Sequence, residues 1–204
     1  MKPIIFSTEM VRAILDGRKT VTRRVIPELR GTDAWFIGRY KSLEYPIGVK
    51  IADEHFDFRC RDENGAFRDI YVLMKKREGD FLWVRETWQD GFEHGTYFYK
   101  ADSRPGQDNM PWRPSIFMPR EAARIFLRVT NVRAERLQDM PLFDVWSEGT
   151  PQMPGNTESD GAVNHEDFKY LWDSINAKRG YGWDTNPWVW VYEFERFSKE
   201  AVGI

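Results

Sequence analysis

The sequence is poor in cysteine and histidine. Cys60 is the single cysteine among 204 residues, so no disulfide can form within the chain. That fits a reducing compartment, and a cytoplasmic setting is the expectation. Three histidines beside that one cysteine leave too few ligands for a structural zinc site, so neither metal nor cofactor is expected. Long apolar runs are missing too. Nothing approaches the roughly 20 apolar residues that a membrane-crossing helix requires. The apolar stretch at Met1–Phe6 is too short for a signal peptide, and no membrane partner is expected. Nor is there an excess of one charge, since the net charge is −2. Proteins that coat duplex DNA are usually basic overall, so any nucleic-acid contact must lie on a local patch. No internal repeat or low-complexity tract is found.

What is present is aromatic residues. They make up 15% of the chain, with nine tryptophans, which is ample material for a core. The length suits one large domain or two small ones, and the pattern reads as one unit over 1–197 with a tail at 198–204. Ile4–Phe6 reads as a strand. Ser7 then caps a helix whose apolar face carries Met10, Val11, Ile14 and Leu15, and Gly17 ends it. Residues 27–79 read as a hairpin insertion, with Trp35–Ile37, Phe56–Cys60 and Ile70–Leu73 as strands and Asn64-Gly65 as the turn.

Phe81–Trp88 reads as one strand. Leu82, Val84, Glu86 and Trp88 then share a face, and Trp83, Arg85 and Thr87 share the other. Thr96–Tyr99 is the next strand, and residues 102–120 form a Pro-rich loop. Residues 125–130 alternate as a half-buried strand. Pro141–Glu148 is a short helix stopped by Gly149, residues 150–163 read as a mobile loop, and Asn164 caps a helix running to Gly180. Trp188–Phe197 is apolar on both faces in its first half, as a central strand should be. The class is α+β, mainly β, with helices at the periphery. Strand–helix alternation is missing, which excludes a doubly wound sheet.

The chemistry concentrates in Gly17-Arg18-Lys19-Thr20-Val21-Thr22-Arg23-Arg24, four cations and two hydroxyls in eight residues. Arginine offers a planar donor fork and lysine a point charge, so this density suits an anion or a polar base edge. A solvated basic loop would look the same in sequence. With Ile14-Leu15-Asp16 before it, the stretch resembles the signature of the ASCH domain, a branch of the PUA-like superfamily. Three more stretches resemble its phage and prophage members, in the same order: Gly79–Trp88, Trp112–Arg120 and Asn186–Val191. The resemblance implies a PUA-like β-barrel with a cleft, and RNA or a modified nucleoside as partner.

One bacterial branch of that family hydrolyses the acetyl amide of N4-acetylcytidine, and other relatives are reported as ribonucleases. The resemblance to that branch implies Thr22 as nucleophile, Lys19 as its activating base and Glu148 in proton transfer. Lys19 and Thr22 match by motif, and Glu148 by its place before Gly149. In an unbroken strand Lys19 and Thr22 would point to opposite faces, so the chain must turn between them. Like charges at Arg18, Arg23 and Arg24 would lower the Lys19 pKa. Glu86 either competes with Glu148 for the acidic role or pairs with an arginine. Arg18, Arg23, Arg24, Arg85, Glu86, Trp88, Trp112, Ser115 and Arg120 are the candidate ligand contacts. Trp83, Trp88, Trp112 and Trp183 are the stacking candidates. The insertion, the Pro-rich loop and the 165–180 helix are additions beyond the short hydrolase branch. A binding module for RNA or a modified nucleoside is therefore the first functional expectation, and a hydrolase or ribonuclease the second. A protein partner is not identifiable from the sequence.

Overall fold

The computed structural model describes residues 1–40, 43–44, 50–52, 54–104, 110–151 and 164–198. The expected mobile loop lies outside the described residues from 152 to 163, as does the tail from 199. The chain opens with β1 (Lys2–Ile5) and helix α1 (Thr8–Leu15), then β2 (Val21–Val25). β3 (Trp35–Tyr40), β4 (Leu43–Glu44), β5 (Lys50–Ala52), β6 (His55–Arg61) and β7 (Phe67–Leu73) follow. β8 (Phe81–Arg85), β9 (Trp88–Asp90), β10 (Tyr97–Tyr99) and β11 (Phe126–Arg136) lead to helix α2 (Leu142–Ser147). Helix α3 (His165–Asn176) and β12 (Trp188–Phe197) complete it. The class is α+β and mainly β, with helices outside the sheets.

The main sheet runs β1-β8-β11-β12-β2. β12 pairs with β11 on one side and β2 on the other, and its two faces are apolar because each packs against a core cluster. Trp188, Trp190, Tyr192 and Phe194 face the largest core cluster, while Val189 and Val191 face a second cluster under α2 and α3. A register shift between Val129 and Asn131 carries β11 from Leu127 and Val129 to Val132 on the same core side.

The 27–79 segment is more than a decoration. β3-β6-β7 forms a second sheet, and Phe56, Phe58, Cys60 and Val72 on it, with Met74 just after it, belong to the main core. Phe56 meets Trp190 edge-on with ring centroids 4.8 Å apart, and Phe58 meets Trp188 at 4.9 Å. Such edge-to-face pairs stabilise by about 0.5–1.5 kcal/mol beyond the area they bury. The expected turn is present, with Gly65 at φ +79 in the left-handed region.

Two expectations need correction. The first is the barrel. Among the described residues β1 and β2 are unpaired edges of an open sheet, and no hydrogen-bonded ladder closes it. The link across that gap is a side chain: Arg24 Nη2 donates to the Ile5 carbonyl at 2.8 Å. The second is the single strand Phe81–Trp88. β8 stops at Arg85, and Trp88 begins a separate hairpin with β10. The alternation therefore breaks. Leu82 and Val84 lie in the main core, whereas Trp88 joins Trp83 in a third cluster with Met118 and Phe126. The break lies where Glu86 turns inward to an arginine, a local event that period-2 patterning does not register.

Candidate functional site

The site begins with how α1 ends. Gly17 sits at φ +77, and its N–H reaches the Ile14 carbonyl at 3.1 Å. The Lys19 N–H then closes on the Ala13 carbonyl at 2.9 Å, and the Thr20 N–H on the Ser147 carbonyl at 2.8 Å. This is the turn needed to bring Lys19 and Thr22 to one cavity. Gly149 completes the junction. It has φ +70, and a Cβ there would lie 2.6 Å from Ala13 Cβ and 2.9 Å from Lys19 Cβ. Only glycine fits, so the end of α2 seats directly on Lys19.

Lys19 is buried and donates from Nζ to Glu148 Oε2 at 2.6 Å, the Glu148 carbonyl at 2.7 Å and the Val21 carbonyl at 2.8 Å. Three acceptors match the three protons of an ammonium. Burial lowers its pKa below the ordinary lysine value; Glu148 opposes that shift, and Arg24 and Arg23 add to it in a minor way. Arg18 takes no part: it is exposed and pairs with Asp16 at 3.2 Å.

Arg23, on the opposite face of β2 from Thr22, gathers three carboxylates. It reaches Glu135 at 2.6 Å, Asp144 at 2.5 Å and Glu148 at 3.2 Å, with its own side chain fully buried. Burial works against the guanidinium, but Glu148, Glu135 and the Asp144 hydrogen bond outweigh it and raise its pKa. Arg133 adds a second cation to Asp144 and Glu135 and also pairs with Glu193. The deep part of the site is thus a compensated network.

A cleft of about 610 Å³ opens beside it, between the β1 and β2 edges where a barrel would have closed. Lys19, Thr22, Arg23, Arg24 and Glu148 line it. Each of the four stretches singled out in the sequence contributes to this lining: Lys19, Thr22, Arg23 and Arg24 from the first, Thr87 from the second, Ser115 from the third and Trp190 from the fourth. The Thr22 side chain is bonded to nothing among the described residues, although the residue is only 3% exposed. Comparison with protein-family models, with curated proteins and with solved structures gives no match.

Several candidates lie elsewhere. Glu86 is buried and held by Arg124, with Nε to Oε1 at 2.8 Å and Nη2 to Oε2 at 2.9 Å, while Arg124 also reaches Asp102 at 2.6 Å. It is the arginine-paired carboxylate and does not line the cleft. Arg85 lies over Trp83 at 4.8 Å, and Arg120 contacts Met1. Trp88 packs with Tyr97 in the third cluster, and neither it nor Trp112 lines the cleft. None of the four stacking candidates reaches it; Trp172 and Trp190 do, as buried walls. Exposure to a cavity depends on which strand face the tertiary fold covers, and the sequence alone does not register it.

The residues that sequence reasoning passed over are Lys75, Lys76 and Arg179, all in the lining. Lys76 Nζ stands 5.3 Å from the Tyr192 ring centre, and Arg24 stands 5.3 Å from that of Phe6. The run Lys75-Lys76-Arg77 was a visible charge signal, but one on a segment read as an insertion.

Proposed function

We propose that the cleft binds a nucleoside of the modified kind found in RNA, or an RNA segment that presents one. The observation that carries this reading is a nucleoside-sized cleft whose lining includes both an unbonded Thr22 hydroxyl and the compensated Lys19–Glu148 pair. Pockets of roughly 300–1,000 Å³ with a few placed polar groups suit ligands of that size. Thr22 can donate or accept, which suits a base edge. The convergence of all four family-like stretches on one cleft supports the ASCH, PUA-like reading. Within this proposal the setting is the cytoplasm, supported by the lone buried thiol of Cys60.

A second reading, a hydrolase of acylated nucleosides, rests on the same pair. Thr22 would attack the acyl carbon and Lys19 would take its proton and pass it to the departing amine as the amide C–N bond breaks; water would then release acetate from Thr22. Lys19 holds no free lone pair while three acceptors occupy its three protons. One of those protons must first pass to Glu148 Oε2, 2.6 Å away. Lowering of the Lys19 pKa by burial favours that transfer. The geometry as it stands favours binding.

Titration with N4-acetylcytidine separates the two readings, with tryptophan fluorescence following binding and chromatography following release of acetate. Saturable quenching without turnover, weakened about tenfold in Thr22→Val by loss of one or two hydrogen bonds, is the expected result. Turnover lost in both Thr22→Val and Lys19→Ala selects the hydrolase. Neither binding nor turnover with nucleoside or RNA removes both readings.

A further inference from the structure

The cleft is graded in charge from floor to mouth. At the floor, Lys19 and Arg23 are matched by Glu148, Glu135 and Asp144. Towards the mouth lie half-buried Arg24 and Lys76 and exposed Lys75 and Arg179. None of these four side chains forms a salt bridge to a carboxylate, and Glu148 is the sole carboxylate in the cleft lining among the described residues. In a chain of net charge −2, four cations around one opening with no salt-bridge partner among the described residues are a local excess of positive charge.

Their placement is built. The Arg24 guanidinium is fixed by the Ile5 carbonyl at 2.8 Å and by the Phe6 ring. Lys76 is held over Tyr192, the β12 neighbour of Thr22, and Arg179 is tied to Asn176 Oδ1 at 3.4 Å. The cations repel one another. Burial, and then the charges of Arg24, Lys2 and Lys75, push the Lys76 pKa down. Burial does the same for Arg24, against the pull of Glu148, with Arg179 adding to the shift in a minor way. A bound dianion would relieve both.

We infer that the mouth of the cleft is a phosphate subsite, formed by Arg24, Lys75, Lys76 and Arg179, that takes the terminal 5′-phosphate of a nucleotide. The inference rests on the nucleoside reading and narrows it: the ligand is a nucleoside 5′-monophosphate and not the free nucleoside. A monoester carries up to two charges at neutral pH, and a cleft of about 610 Å³ suits one nucleotide. Lys76 and Arg179 come from the 27–79 segment and the end of the α3 region, so the additions to the chain supply the charge.

Isothermal titration in low salt tests this with four probes: N4-acetylcytidine, its 5′-monophosphate, inorganic phosphate, and a 5′-hydroxyl RNA trinucleotide carrying only internal diesters. The monophosphate is expected to bind about tenfold or more tightly than the nucleoside, since one charge-assisted hydrogen bond accounts for that factor. In the double variant Lys76→Gln/Arg179→Gln the ratio of the two affinities falls towards one. A ratio readout separates loss of the subsite from general damage to the fold. Equal affinities in the wild type, or an advantage that survives the double variant, overturn the subsite and leave the nucleoside reading intact. Phosphate binding that the double variant loses, with no nucleoside binding, keeps the subsite and removes the nucleoside reading. A trinucleotide that outbinds the monophosphate overturns the assignment to a terminal phosphate.

Discussion

Glu86 and Glu148 are both buried carboxylates held by cations, yet only one of them lies at a cleft. Glu86 is met by one arginine in a two-pronged pair, closed off by Asp102 and the Tyr99 ring, which Arg124 covers at 3.8 Å. All three Arg124 nitrogens donate to these two carboxylates, and Glu86 is not in the cleft lining. Glu148 is held by Lys19 and by Arg23, which it shares with two further carboxylates, and it lines a cavity together with the unbonded Thr22 hydroxyl. A buried ion pair is therefore not a site in itself. What distinguishes Glu148 is the gap between the two sheet edges, which leaves polar groups facing a space that a ligand can fill.

The largest expected effect breaks the comparison at its cations. Arg23→Ala leaves Glu148, Glu135 and Asp144 short of charge, and stranding a buried partner costs about 3–5 kcal/mol. Arg124→Ala is expected to cost less, because Glu86 can take up one proton and become neutral, whereas Arg23 ties together three carboxylates that Lys19 and Arg133 would have to hold without it. Urea unfolding of both variants at neutral pH measures this. Equal losses would show that Arg23 does not tie the three carboxylates into one unit.

A smaller effect sharpens the Glu148 side alone. Gly149→Ala forces a side chain into the left-handed region, at a cost of about 1–3 kcal/mol. It also drives a Cβ against Ala13 and Lys19. Stability should fall, and ligand binding in the cleft with it, because Glu148 and Lys19 move apart. Gly65→Ala, at an open hairpin turn with similar φ, is the control: it should lose stability without loss of binding.

The smallest effect concerns pH on the Glu86 side. Burial raises the Glu86 pKa above the ordinary 4.5, against the pull of Arg124. Between that value and the folded one, the folded protein binds a proton that the unfolded chain does not. Above the folded pKa the penalty for the charged form is fully present, and it is relieved as pH falls towards 4.5. Chemical unfolding across the mildly acid range should show this rise in the wild-type protein and a flatter profile in Glu86→Gln. An identical profile in the variant would assign the rise to another group.

Much of the frame was legible in the chain itself. The Ser7 cap, the Gly17 stop, the Asn64-Gly65 turn, the Asn164 cap and the two-faced apolar run of β12 each depend on a few adjacent residues. Local backbone preferences and short-range periodicity fix such features. The four cations and two hydroxyls from Gly17 to Arg24 likewise named the region of the site, and the resemblance of Glu148's position led to its partner. Tertiary structure decided the rest. Whether the sheet closes depends on edge-to-edge pairing between β1 and β2, strands separated by a helix, which no local pattern encodes. Which tryptophans face a cavity depends on what the second sheet covers. That Arg23 turns away from the cleft mouth while Lys76 and Arg179, far along the chain, turn towards it follows from strand register and the seating of α3. These are long-range contacts, settled when distant segments pack together.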